Sequence, residues 1–518
     1  MNPKVASYLK MMAASSCQIS IQFTYALAFS LINPLFHDRF GLPEEAATAI
    51  LGFIGPFIGF FIQPIFGAMG DRCTFKFGRR RIFIFCGCIV NMIGATLLCI
   101  STIIDNKLAD EGKDPNHVTG VCFGIIGIFL SIFGLNIMQG PSRAIMSDLF
   151  DNEQQQTANL IINAFNGFAS VICNIVTGVL TLYTISEMQK GGNINLDVKY
   201  VVMFGITTVL NIIFLLPTII FAKEQRFIPE DGVKTSLVQP FIDLFQAIKM
   251  VNLDVFFIIM VEFFGWFAYN AFNAHLTSFL PNDIYVIEDK SDPMTDYGLV
   301  MGCFMFCVLY FFQMFAPFIF PVVSSILGEI FTFILAQGLA AVSYVMFILA
   351  YVFLKPERPY EQSNSAYLVW TIVMFISVIY PGLAFTQTNS LPFSMLKKAV
   401  PAERYGSFIG LLNCAVVLGQ FVSSTLVMII QGSMEPDAPE TVSDSSFSSS
   451  SSETPSVDGK YVVSMSVSLA GAVICTLVSF VLFRVKQDEV TEAEKEKLVK
   501  ENENEFNERS SLTTSAIN

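Results

Sequence analysis

From Ile82 to Ile104 the chain runs without one charged side chain. At 1.5 Å per helical residue, such a run covers the roughly 30 Å hydrocarbon core of a bilayer. Twelve segments of this kind can be placed, near 11–35, 46–68, 82–104, 119–149, 157–183, 200–221, 253–280, 297–320, 325–353, 366–391, 405–430 and 461–483. Backbone polar groups find no partner in lipid, so segments of this length and apolarity are expected to be helices. Charged residues make up 14% of the chain, against about 25% in soluble domains. The expected fold class is an all-α polytopic membrane protein, with twelve transmembrane helices in two six-helix bundles.

A short loop between the second and third segments holds Arg72, Lys76, Arg79, Arg80 and Arg81. Short basic loops stay in the cytoplasm, which places both termini there. Residues 222–252 are then a cytoplasmic linker between an N-terminal bundle, 1–221, and a C-terminal bundle, 253–483. Within the linker, Phe241 to Lys249 has the spacing of an amphipathic helix on the membrane surface. Residues 431–460 read as an outside loop whose acidic, serine-rich composition argues disorder. Residues 484–518 read as an acidic cytoplasmic tail. The acidic residues behind the net charge of −13 sit mostly in loops and the tail, and no basic surface for nucleic acid is present. The eleven cysteines fall in spans, at span edges or in the basic loop, so no disulfide framework is expected. Gly140-Pro141 with Asn163, and Leu391-Pro392 with Asn413, occupy corresponding positions of the two halves and read as a trace of duplication.

An ionisable side chain at membrane depth costs about 2.5–3.5 kcal/mol on insertion scales, so each one needs a reason. Glu262 falls near the midplane of the seventh segment. Trp266, Asn270 and Asn273 follow at i+4, i+8 and i+11, on one helix face. A carboxyl group desolvated there is suited to load and release a proton; the alternative is a packing hydrogen bond to a neighbouring helix. His275, in the outer half of the same segment, is a second titratable candidate, or a satisfied structural histidine. On the fourth segment Asn136, Gln139 and Arg143 form one polar stripe. The Arg143 fork of donors suits ligand hydroxyl or carboxylate groups, unless it pairs with Asp148 or reaches the headgroups. Gln22, Asn163, Asn166, Gln387, Asn389 and Asn413 add amides on the first, fifth, tenth and eleventh segments. As a set they suit a polar, uncharged ligand; singly, each could join helices instead.

The basic loop has more in it than a topology signal. Gly67, Asp71, Arg72, Gly78, Arg79 and Arg80 are read as a charged latch that forms in one conformational state and breaks in another. The arginines alone would serve topology; Asp71 and the glycines would not be needed.

Twelve spans with Gly67-x-x-x-Asp71-Arg72 and Gly78-Arg79-Arg80-Arg81 between the second and third resemble the major facilitator superfamily. Gly55-Pro56-Phe57-Ile58-Gly59, Gln63-Pro64-Ile65-Phe66-Gly67 and Asp71-Arg72-Cys73-Thr74 are similar to the sucrose–proton symporter group of the glycoside–pentoside–hexuronide:cation symporters. Gln139-Gly140-Pro141-Ser142-Arg143-Ala144, Trp266-Phe267 and Leu391-Pro392-Phe393 look like further landmarks of that group. The resemblance implies a central cavity between two bundles, a sugar substrate, proton coupling and a transport role for Arg143. The chain departs from the group at Ile132, where those carriers have an Asp eleven residues before the arginine. It departs again at Asn273-Ala274-His275, where they have Asp-x-Asp.

The sequence contains no Gly-x-x-x-x-Gly-Lys-Ser/Thr loop, no zinc-spaced Cys/His set and no Gly-x-Ser-x-Gly elbow. Enzymatic activity, a metal and a cofactor are therefore not expected. The leading expectation is a secondary active transporter moving a sugar or glycoside, sucrose-, maltose- or glucose-like, by alternating access with protons. Its alternatives are an uncoupled facilitator or carrier of another small polar solute, and a non-transporting membrane sensor. The plasma membrane is the expected location, with an acidic internal compartment as the alternative.

Overall fold

The computed structural model describes residues 3–110, 113, 117–191, 197–224, 239–289, 292–400, 405–434 and 459–484, and their regular structure is helical. The N-terminal half comprises α1 (Pro3–Ser15), α2 (Cys17–Pro34), α3 (Glu44–Arg72), α4 (Arg81–Asp110), α5 (Val118–Leu149), α6 (Asn152–Gln189) and α7 (Val198–Phe221). After α8 (Gln239–Ile248), the C-terminal half comprises α9 (Leu253–Phe279), α10 (Tyr297–Leu327), α11 (Glu329–Leu354), α12 (Ser365–Ser377), α13 (Ile379–Thr388), α14 (Leu391–Ala399), α15 (Tyr405–Ser433) and α16 (Val462–Arg484). Twelve stretches among the described residues are long and apolar enough to cross a membrane. The expectations for the serine-rich loop, the acidic tail and most of the linker lie outside the described residues.

Two of the differences from the sequence reading have a clear backbone reason. The eighth helix does not end at residue 320. It runs through Pro321 to Leu327 and stops at Gly328, whose φ of +82° suits glycine alone. The tenth segment is not one helix but three, α12 to α14. Pro381 has no N–H for the carbonyl of Ser377, four residues back. The Ser343 hydroxyl, from α11, donates to that oxygen at 2.7 Å. A break in the lipid-embedded ladder is thus satisfied by a neighbour, as a membrane interior requires.

Small residues bring the helices of the N-terminal half together. A Cβ on Gly94 of α4 would lie 2.3 Å from the backbone nitrogen of Ser131 on α5, and one on Gly134 would lie 2.5 Å from that of Asn91. Side chains elsewhere in the half divide into a shared apolar core and an exposed apolar face for lipid. The C-terminal half buries its own clusters in the same manner.

The halves meet chiefly through α6 with α10, α3 with α15 and α2 with α9. The end of the bundle that carries Arg79 to Arg81 is called here the arginine end, and the opposite end the far end. Clasps between the halves gather toward the far end. Lys199 Nζ bonds Asp296 Oδ2 at 2.5 Å, the His37 ring meets the Tyr461 ring edge-on, and Thr48 Oγ1 lies 3.3 Å from His275 Nε2. Beside them Arg39 binds the buried Asp105 at 2.9 Å and Asp197 at 2.7 Å, while His117 Nδ1 contacts Asp105 at 2.8 Å. The linker helix α8 packs against α15 and α3 and leaves Ile242, Phe245 and Ile248 exposed on one side.

Candidate functional site

Proximity to the middle of the membrane, between the halves, selects the polar side chains to consider. On α5 the Asn136 amide nitrogen donates to the carbonyl of Ile132 at 2.8 Å, which turns its oxygen outward. Gln63 of α3 donates to that oxygen at 2.8 Å and to Gln139 Oε1 at 2.7 Å. The Tyr25 hydroxyl of α2 lies beside Asn136 and the Arg143 guanidinium. Arg143 itself is exposed, and no described residue pairs with it. Asp148, the partner offered by the sequence, is engaged by Arg79 at 2.7 Å and Arg80 at 3.1 Å. The expected stripe Asn136, Gln139, Arg143 is therefore assembled, with Gln63 and Tyr25 added to it. Their sequence signal was a polar side chain within an otherwise apolar span, which Tyr25, as an amphipathic aromatic, gives only weakly.

A second polar stripe runs down α6: Asn163, Asn166, Ser170, Asn174, Thr177, Thr181 and Thr184, spaced by three and four residues. Asn163 and Asn166 are accessible or partly so, and the remainder are buried. Gln22 donates to Ser170 at 3.1 Å and Ser30 to Asn174 at 2.7 Å, tying the stripe to α2. Arg143, Asn163, Asn389 and Asn413 are all exposed, and all lie in the arginine-end portions of their helices. The halves are closed at the far end and their polar faces are reached from the arginine end.

In the C-terminal half Glu262 is fully buried. Trp266 Nε1 donates to its Oε1 at 3.1 Å, and its Oε2 has no hydrogen-bond partner among the described residues. Trp266 packs edge-on against Phe385, which stacks on Tyr269 at 3.8 Å between ring centres. The face expected of α9 divides between neighbours. Asn270 donates to Ser423 at 2.9 Å and Ser424 at 3.0 Å on α15, and Asn273 accepts from Tyr310 of α10 at 3.2 Å. His275 donates from Nδ1 to the Ala271 carbonyl at 3.0 Å, so its Nε2 is free to accept from Thr48 in the far-end closure. Gln387 is buried, and Asn389 donates to the carbonyl of Phe385 at 2.9 Å.

The basic loop folds into a compact cluster. Asp71 and Arg72 close α3, but the latch expected of them rests on side chains outside the described residues. The cluster seen is built on Glu224, which the sequence reading did not single out. Its buried carboxylate accepts from the backbone N–H of Arg80 at 3.0 Å and of Arg81 at 3.1 Å, capping the start of α4 where the helix dipole favours an anion. Burial pushes the Glu224 carboxyl above its ordinary range, against the opposing pull of those N–H groups. Gly78 has a φ of +128°, and a Cβ there would fall 2.7 Å from both Arg81 Nε and Glu224 Oε2. Gly67 has open space around it, so the geometry requires glycine at one of the two positions.

A membrane bundle of two six-span halves with polar faces between them defines a transporter fold. Residues 14–424 match the model of the Major Facilitator Superfamily, and the chain belongs to that family. It is 25% identical over 432 residues to the sucrose transport protein SUC4 of Arabidopsis thaliana, covering 80% of this chain and 82% of that one. It is likewise 25% identical over 455 residues to the sucrose transport protein SUT5 of Oryza sativa subsp. indica, covering 80% and 81%. Among solved structures it is similar to a mutant of the nucleoside transporter NupG, with a TM-score of 0.61 at 12% identity over 92% of this chain and 100% of the other. A bacterial homologue of the human drug peptide transporters PepT1 and PepT2 gives 0.62 at 11% identity, over 93% and 99%. These two share the fold. The chain is a transporter and not an enzyme.

Proposed function

We propose that the protein carries a sugar or glycoside of the sucrose class across a membrane by alternating access, driven by protons. The observation that carries the substrate is the similarity to sucrose transport proteins over four fifths of both chains. An exposed guanidinium and several amides across the polar faces suit a ligand rich in hydroxyl groups, with Trp266 beside them as an apolar wall. Arg143, Gln139, Asn136, Asn163, Asn166, Gln387, Asn389 and Asn413 form the ligand set; Asn270 supports it through α15.

Glu262 is the proton carrier in this reading. Its second oxygen lacks a partner among the described residues and the side chain is wholly out of water, so an ionisable group there needs a functional reason. His275 modulates closure at the far end. The arginine end is cytoplasmic by the basic-loop argument, the membrane is the plasma membrane, and the polar face open to that end is an inward-facing state. Movement to the outward-facing state requires the Lys199–Asp296 clasp to part.

A second reading has one observation in its favour. Ile132 is packed in the apolar core of the N-terminal half, at the place where the sucrose group carries an Asp. Coupling that needs an acid there would be absent, leaving an uncoupled facilitator.

Reconstituted vesicles with an imposed pH gradient and labelled sucrose, maltose and glucose separate the readings. Accumulation above the outside concentration, reduced to simple equilibration by Glu262→Gln, is the expected result. Equal uptake with and without the gradient overturns coupling, and no flux of any of the three overturns the substrate.

A further inference from the structure

Gly167 of α6 packs closely against Met314 of α10, where a Cβ on the glycine would lie 2.4 Å from that of the methionine. Farther along the same helices Gly178 meets Cys303. As the α6 number rises the α10 number falls, so the helices run antiparallel. Successive residues turn by about 100° on each helix, in opposite senses when viewed down one axis. Asn166 and Gln313, each one residue before the contact, therefore project to the same flank of the seam. Phe168 and Phe315, each one residue after it, project to the other flank, and both are exposed large apolar side chains suited to lipid. The flank bearing Asn166 and Gln313 is the interior one. Ser170, one turn beyond Asn166, confirms this by bonding Gln22 of the interior helix α2.

Each of these two amides has its oxygen shut off from solvent and without a hydrogen-bond donor among the described residues: Asn166 Oδ1 and Gln313 Oε1. Buried acceptors are paired in most proteins, so two unpaired ones facing the same interior flank need an explanation. One comes from each half, at the level where the halves touch. Gln313 stands outside the ligand set that the sequence supplied.

We infer that Gln313 is a ligand-binding residue, and that its oxygen and that of Asn166 accept hydrogen bonds from hydroxyl groups of the carried sugar. The inference rests on the sugar reading and deepens it. A sugar hydroxyl donates one hydrogen and is matched by an amide acceptor without any charge. A ligand bonded to both amides would bridge the two halves beside the Gly167–Met314 contact, so its binding free energy would bear directly on their relative position.

The test uses the full chain in vesicles with sucrose and its monodeoxy derivatives. Gln313→Met, close to the same size but without the amide, should raise the KM for sucrose about tenfold. It should also erase the penalty that the wild type shows for one particular monodeoxy sucrose, because the acceptor for that hydroxyl is gone. A purely structural role would lower uptake of every analogue alike and leave the ranking unchanged. Gln313→Asn, which keeps the amide and shortens its reach, carries the same test if the methionine variant is not monodisperse. Wild-type uptake of sucrose with an unaltered ranking in the folded variant overturns the role of Gln313 alone. Absence of wild-type uptake of any sugar overturns the sugar reading together with it, and the two failures are told apart by the wild type.

Discussion

At Gly78 two demands coincide: a φ of +128°, and space for nothing beyond a hydrogen between Arg81 and Glu224. Gly78→Ala should therefore destabilise the protein by about 1–3 kcal/mol, read as a lower melting temperature in detergent, whereas Gly67→Ala should leave it unchanged. Equal melting temperatures for the two variants would contradict this. The spacing of the basic motif made the glycines conspicuous but gave no means of ranking them. The carboxylate that makes Gly78 special, Glu224, is far away in sequence, and only folding brings it there. Arg143 shows the same limit from the other side. Its place in a polar stripe was legible, but whether Asp148 neutralised it depended on Arg79 and Arg80, which take Asp148 for themselves.

Among elements, the helices were the most legible feature, because an apolar run of bilayer length has few other fates. Their interruptions were less so. Pro321 lies inside α10 without ending it, while Pro381 separates α12 from α13 with its freed carbonyl taken up by Ser343. Nothing local distinguishes the two prolines. The start of α4 yields a prediction of pH dependence. A carboxyl whose pKa is raised on folding stabilises the fold when protonated. The contribution of Glu224 is thus complete below its ordinary value of 4.5 and is lost as pH rises through the raised one. Glu224→Gln should remove that part of the decline in melting temperature measured as pH rises above 4.5. An identical slope in the variant would show that Glu224 does not titrate in this window.

For the whole molecule, the far-end clasp gives the most direct handle on state. Lys199 is nearly inaccessible and Asp296 is partly exposed. Asp296→Asn strands a buried cation, while Lys199→Met leaves a carboxylate that water can reach. The first should therefore cost more, up to about 3–5 kcal/mol for an unpaired buried charge. Both should favour the state open at the far end. Cys303 lies two turns along α10 from the clasp, buried against α6. An impermeant maleimide added at the far face, followed by peptide mapping, should label it faster in either variant; unchanged labelling would mean that the pair does not hold the halves together. The polar contacts that close this end join residues far apart in sequence, so no local pattern announced them. The antiparallel seam itself has a mechanical consequence. Gly167 meets Met314 near mid-depth, and Gly178 meets Cys303 about 16 Å farther along. If the first contact persists while the second parts, it serves as a fulcrum, and the helix beyond it is the lever arm. Bulk added at the fulcrum would then throttle turnover by holding the lever arm in one position.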